Sequence, residues 1–230
     1  MSTVREILRK TPLRPLYQWQ RRVRRHIIFR LKVKKVVENP DIRLDDPQVL
    51  DELTYWWANV FSPSTEFLLD LVKHSSQAKY PILDCGSGLS TIIAGLIAKR
   101  HGNTVWSLES SKSWYNRVKH YLDKYQVDSV NLLYCPLKKQ TDFSWYDVPW
   151  DILPEKFSLV SCDGPYQEGD ARRYGLFPMM KERFAPECTI LFDNESLKQE
   201  QEGLYYWVDK LQAQYEKRGS EKPFLHITLP

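Results

Sequence analysis

The stretch Ile82-Leu83-Asp84-Cys85-Gly86-Ser87-Gly88-Leu89-Ser90 constrains this chain more than any other part of it. Its first residues form a short apolar run of the kind buried inside a parallel sheet. Gly86 and Gly88 then permit a sharp turn and a close backbone approach to a ligand. The apolar pattern resuming at Leu89 predicts a helix, so a strand, a glycine turn and a helix follow in order. A dinucleotide-binding turn carries a third glycine three residues beyond the second, where this chain has Thr91. The carboxylate of Asp84 just before the turn disfavours a pyrophosphate and favours a ligand with positive charge.

The alternation continues along the chain. Strands are predicted at 81–85, 104–109, 130–135, 157–162, 188–193 and 224–229, with helices at 89–101, 112–125, 172–184 and 197–217. Gly102, after Lys99-Arg100-His101, marks a helix C-terminus. Upstream, one helix is expected from Pro47 to Asn59 and carries Tyr55-Trp56-Trp57. Another is expected to start within Ser62-Pro63-Ser64-Thr65-Glu66 and to run to His74. The expected fold is α/β: a doubly wound, mostly parallel Rossmann-like sheet of six or seven strands with helices on both faces. Only one C-terminal strand, Pro223–Leu229, is visible in the pattern.

Charge divides the chain. Residues 1–39 hold twelve Lys and Arg against Glu6 and Glu38, a net +10, so the remaining 191 residues sum to −6. Val23, Ile27, Arg30/Leu31 and Lys34 fall at helical spacing, which predicts a basic amphipathic helix that Pro12 and Pro15 keep from starting before Leu16. Residues 1–46 are therefore read as a basic arm and linker, and 47–230 as the main domain. The arm suits an anionic membrane surface, contacted through residues 16–38, or a face of the body or a partner. Nucleic-acid phosphates are the less favoured reading. Cys85, Cys135, Cys162 and Cys188 have no metal-ligand spacing and are expected as buried free thiols in a reducing compartment. Without a signal-peptide pattern or a membrane span, a cytoplasmic location is expected, peripheral at the inner membrane surface if the arm binds there. The oligomeric state stays open.

In open α/β sheets, ligands bind beyond the carboxyl ends of the strands. Those ends here are Asp84-Cys-Gly-Ser-Gly, Glu109-Ser110, Cys135-Pro136-Leu137, Asp163-Gly-Pro and Asp193-Asn194. Glu109, 21 residues after Gly88, can accept two hydrogen bonds from a ribose diol, or cap the helix that begins near Lys112. On these residues, and on Phe157-Ser-Leu-Val-Ser-Cys-Asp-Gly-Pro, the region 60–210 resembles the class I S-adenosylmethionine-dependent methyltransferases. The resemblance implies S-adenosylmethionine as cofactor. It places Gly86, Ser87, Gly88 and Ser90 along the methionyl part and Asp84 at its ammonium. Glu109 and Ser110 fall at the ribose, Pro136 and Leu137 beside the adenine, and Asp163 near the methyl group.

A narrower resemblance, to the metal-dependent catechol and caffeoyl-CoA O-methyltransferases and macrolide-sugar methyltransferases, implies Mg²⁺ on Asp163, Asp193 and Asn194. Such hard oxygen ligands suit that ion. The plainer reading has Asp163 meeting cofactor or acceptor directly, with Asp193 and Asn194 capping the next helix. Tyr166 stands where the catechol-type enzymes carry a lysine. An alcohol acceptor must lose its proton, and Asp163 is the candidate for that role. Tyr166, Arg172, Arg173 and Tyr174 follow it and are expected to face the acceptor; the two arginines suit an anionic one or a solvated helix start. Of the histidines, His26, His74, His101 and His120 read as surface or packing residues, and His226 as a base candidate. The aromatic clusters at 55–57, 145–146, 150 and 205–207 suit core and lid packing or a stacking surface.

The expected function is O-methylation of a small molecule or glycan. Alternatives are a non-catalytic module tethered to a membrane or complex, a nucleic-acid methyltransferase and a nicotinamide-dependent oxidoreductase. Asp163-Gly-Pro-Tyr166 lacks the Asn/Asp-Pro-Pro-Tyr motif of base-amino methylation, and Thr91 replaces the oxidoreductase's third glycine.

Overall fold

Strand β1 (Ile82–Cys85) is flanked in parallel by β2 (Val105–Glu109) and β6 (Phe157–Cys162). All four of its residues are buried, as a strand covered on both faces requires. The computed structural model describes residues 14–39, 41–57, 62–166, 169–193 and 198–230. The sheet has seven strands in the order β3-β2-β1-β6-β7-β9-β8, with β3 at Val130–Tyr134, β7 at Phe184–Asp193, β8 at Gln214–Arg218 and β9 at Phe224–Thr228. Strand β9 runs antiparallel to both β7 and β8. Strand order reverses between β1 and β6, which opens a crevice over their carboxyl ends.

Helices α1 (Arg14–Glu38), α2 (Pro47–Trp57), α3 (Thr65–Gln77), α4 (Leu89–His101) and α5 (Lys112–Tyr125) contribute to one buried cluster that includes Ile82, Val105 and Leu159. The other cluster combines Leu83, Cys85 and Leu108 with Trp145, Leu176 of α6 (Leu176–Met180) and Leu204 of α7 (Lys198–Lys210). Ile82 and Leu83 thus serve opposite faces, as the period of a strand dictates. All four cysteines are free and buried.

Three expectations are corrected, and a hairpin with no counterpart in the sequence pattern is added. The predicted helix 197–217 ends at Lys210; Gln212 then takes a left-handed φ of 52°, and the chain returns as β8. The C-terminal strand pair is therefore complete. Strand β8 is an almost fully exposed edge, so it has no buried face to impose an alternating pattern. The predicted helix 172–184 is a 3₁₀ turn (Arg173–Gly175), the short α6 and a second 3₁₀ turn (Lys181–Arg183). The stretch after Pro136 forms a hairpin, β4 (Leu137–Lys139) with β5 (Ser144–Tyr146). Pro15 lies in the first turn of α1 instead of preceding it, where its missing amide hydrogen costs nothing.

The second half of the arm belongs to the body. Phe29, Val33 and Val36 are buried beside Leu50, Leu53 and Trp57 of α2. The Tyr125 hydroxyl donates to the Arg30 carbonyl at 2.9 Å, and the Tyr121 hydroxyl lies 2.7 Å from His26 Nδ1. Helix α3 starts under Ser64, whose hydroxyl accepts from the Phe67 amide. The expected end of α2 at Asn59 lies outside the described residues, and the helix is described to Trp57.

Candidate functional site

The β1–α4 turn is built around Asp84. Its carboxylate, 1% exposed, accepts from the Thr91 hydroxyl at 2.6 Å, Ser107 at 2.7 Å and Ser90 at 3.3 Å. Thr91 Oγ1 also accepts from the Gly88 amide at 2.8 Å. The side chain standing at the third-glycine position thus ties the turn to the buried acid. Burial pushes the Asp84 carboxyl above its ordinary range, and the hydroxyls oppose the rise. Asp84 does not line the cavity above the turn. It forms a foundation beneath the glycines, held by the Thr91, Ser107 and Ser90 hydroxyls.

Gly86 has a left-handed φ of 99°, and a Cβ there would lie 2.9 Å from the Gly164 amide nitrogen. The turns after β1 and β6 therefore touch through two glycines. Gly88 is different: a Cβ there would meet nothing within 4 Å. It lines a cavity of about 660 Å³, so its missing side chain leaves room for a ligand.

Glu109 ends β2 with 6% exposure and lines the same cavity. One oxygen accepts from the Ser87 amide at 3.1 Å and its hydroxyl at 2.7 Å; the other accepts from the Ser111 amide at 2.7 Å. Ser111 is the N-cap of α5. Glu109 thus braces the cap of α5 and also faces the cavity. Burial raises its carboxyl pKa, against the hydrogen bonds.

Asp163, just past β6, forms an ion pair with Arg173, Nη2 to Oδ1 at 3.1 Å. Arg173 is 6% exposed, and its Nη1 donates to the Asp193 carbonyl at 3.2 Å. Among the described residues its buried Nε has no hydrogen-bond partner. Burial holds the Asp163 carboxyl well above the usual carboxylate range; neighbouring Asp193 adds to the rise and Arg173 opposes it. Arg173 is itself held by Glu200 on α7, a fully buried acid that accepts from the Arg173 and Tyr174 amides at 3.0 and 2.9 Å. Sequence reasoning missed Glu200. The signal was its place in one helical row with Leu204 and Val208, both buried.

Of the expected cofactor residues, Gly86, Ser87, Gly88, Ser90, Glu109, Ser110, Leu137 and Asp163 line the cavity. Pro136 does not; its carbonyl accepts from the Asp147 amide beside the hairpin. Of the acceptor candidates, Tyr166 and Arg173 line the cavity. Arg172 instead folds onto the carbonyls of Gly169 and Ala171, and the Tyr174 ring packs on Phe143 and lies over Gly203. His226 lies 2.9 Å from His74, Nε2 to Nε2, and is not on the cavity wall. Trp57 and Trp114 complete one wall, edge to face at 5.9 Å with Arg117 over both rings. The Trp114 indole donates to the Ser87 carbonyl.

The residues described at the expected metal position do not fit a divalent ion. A guanidinium already supplies the positive charge against Asp163, and a second cation beside it would be repelled. Among the described residues no group of three or more His, Cys, Asp or Glu could hold a metal ion. Asn194 lies outside the described residues.

No family model and no curated protein matches this chain. Solved structures do. An SAH-bound methyltransferase from Podospora anserina aligns with a TM-score of 0.56, 16% identical, over 79% of this chain and 87% of its own. The precorrin-6y C5,15-methyltransferase of Geobacter metallireducens gives 0.54 at 11% identity, over 75% and 92%. An O-methyltransferase from Bacillus cereus in complex with SAH gives 0.51 at 15%, over 85% and 96%. This chain shares the Rossmann-like α/β fold of these structures. At these identities the likeness is one of architecture, and chemistry has to be argued from the cavity.

Proposed function

We propose that this chain is an S-adenosylmethionine-dependent methyltransferase acting on a hydroxyl oxygen of a small molecule or glycan. One observation carries the reading. The open side of Gly88, the Glu109 carboxylate and the Asp163 carboxylate share a single cavity, at the ends of β1, β2 and β6. The cofactor fits these residues. Gly88 leaves space for the methionyl chain, Glu109 is placed for the ribose diol, and Leu137 offers an apolar contact for the adenine. The Ser87 hydroxyl can rotate away from Glu109 and free an acceptor site for the diol.

When bound, S-adenosylmethionine supplies a methyl group on a sulfonium, a leaving group that needs no further activation. What remains for the chain is alignment and proton removal. Asp163 accepts the proton of the acceptor hydroxyl as the oxygen bonds to carbon and the carbon–sulfur electron pair stays on sulfur. Arg173 fixes the orientation of that carboxylate, and Tyr166 provides an exposed ring over which an acceptor can pack. Once its proton has left, the Asp163 carboxylate carries a negative charge that attracts a cationic sulfonium. A proton arriving on Asp163 balances that charge when the sulfonium becomes a neutral thioether.

Calorimetric titration with S-adenosylhomocysteine and with NAD tests the cofactor assignment. Binding of the former only is expected, and Glu109→Ala should weaken it more than about tenfold through loss of charge-assisted hydrogen bonds. Binding of NAD alone, or of neither, overturns the reading. Incubation of the chain with methyl-labelled cofactor and pooled hydroxylated metabolites, read by mass spectrometry, tests the acceptor class.

A further inference from the structure

Helix α1 presents two apolar surfaces, of which the body uses one. Phe29, Val33 and Val36 are buried against it. Leu16, Trp19, Val23, Ile27 and Leu31 are all exposed, Leu31 by 61% and Trp19 by 60%. At 100° per residue these five fall within one stripe about 120° wide, centred roughly 130° from the buried trio. Trp19, Val23 and Ile27 also border a shallow groove with Arg24. An apolar ridge of this length on a monomer's surface marks an interaction site.

The charge of the helix identifies the occupant. From Arg14 to Glu38 it carries nine Lys and Arg and one acid, Glu38, at its end. Arg21 and Arg25 lie over the rings of Tyr17 and Tyr55, at 5.7 and 6.0 Å. We infer that this face of α1 lies on an anionic lipid bilayer, its ridge among the acyl chains and its arginines among the headgroups. Nucleic-acid phosphates would satisfy the arginines and leave Trp19, Ile27 and Leu31 in water. A second copy docked ridge to ridge would set two strongly basic helices against each other. A bilayer with anionic headgroups covers the ridge and neutralises the charge together. No helix among the described residues is long and apolar enough to cross a membrane, so the contact is interfacial. The inference does not depend on methyl transfer.

Truncating the arm would strip Phe29, Val33 and Val36 from the core, so the test uses exposed positions in the full chain. Sedimentation with vesicles of phosphatidylcholine alone, and with one third phosphatidylglycerol, should show binding only to the second. Trp19→Ser combined with Ile27→Ser should abolish it. Arg21→Gln with Arg24→Gln and Arg25→Gln should weaken it about a hundredfold. Circular dichroism and S-adenosylhomocysteine affinity should not change in either variant. Three results would overturn the inference: no binding to the anionic vesicles, binding that survives the Trp19/Ile27 change, or tighter binding to duplex DNA than to vesicles. A dimer in analytical ultracentrifugation that Ile27→Glu dissolves would do so as well, by assigning the ridge to a second copy.

Discussion

Helices α4 and α1 contribute to the same core, and they do so in opposite ways. In α4 ten consecutive residues, Leu89 to Ala98, are buried. The 25-residue α1 buries three apolar side chains and exposes five. A helix enclosed on all sides has no freedom left, and α4 is so close-packed that a Cβ on Gly95 would come within 2.4 Å of Val130. Its N-terminus therefore holds the glycine turn and the cavity floor rigidly. Helix α1 is anchored along one row and leaves another exposed. The cavity end of the core is closely packed, and the arm is packed on one side only.

The largest effect expected from breaking this contrast lies in the cavity. Asp163→Asn should cut turnover by roughly 10²–10⁴, the range for loss of a positioned proton acceptor. Because the folded-state pKa of Asp163 is raised, the wild-type rate should climb with pH as the carboxyl loses its proton, and the Asn variant should lose that limb. The Trp19/Ile27 double variant should leave the profile on a soluble acceptor intact.

The next effect compares one residue type in the two helices. Ile93→Ala in α4 removes a side chain with no exposure and should cost about 2–5 kcal/mol by denaturant unfolding. Ile27→Ala in α1, at 49% exposure, should stay within about 0.5 kcal/mol. Equal costs would mean that the outer ridge is covered within the chain itself.

The smallest concerns α3, which packs beside α4. His74 there has its pKa lowered to about 4, by burial first and by His226 next. The unfolded chain takes up this proton below about pH 6.5, while the folded chain takes it up only near pH 4. Stability is then whole above pH 6.5 and falls as pH drops from there toward 4, on the order of 2 kcal/mol once solvent screening is allowed for. Thermal melts should show the decline, and His74→Gln should flatten it.

Much of this could be read without coordinates. Strong periodicity placed β1, α4, α5 and β6, because each is buried enough for its pattern to be forced. The polar edge strand β8 carries no such pattern, since an exposed edge tolerates any polar residue, and the helical pattern after Arg172 does not show that the segment breaks into two 3₁₀ turns around α6. At the site, the sequence placed Glu109, Gly88 and Asp163 on adjacent strand ends, a consequence of the parallel order. It could not tell which neighbouring side chains face the cavity: Arg173 does and Arg172 does not, because Glu200 takes the Arg173 and Tyr174 amides from another helix.

The sequence by itself determined the parallel core of the sheet, the glycine turn and the strand-end acids, all set by local geometry and the short-range alternation of strand and helix. Only the tertiary structure decided that Asp84 lies beneath the turn, that a guanidinium occupies the expected metal position, and that the arm shares the core. Those three depend on burial and charge compensation between elements, which are settled only by which elements meet.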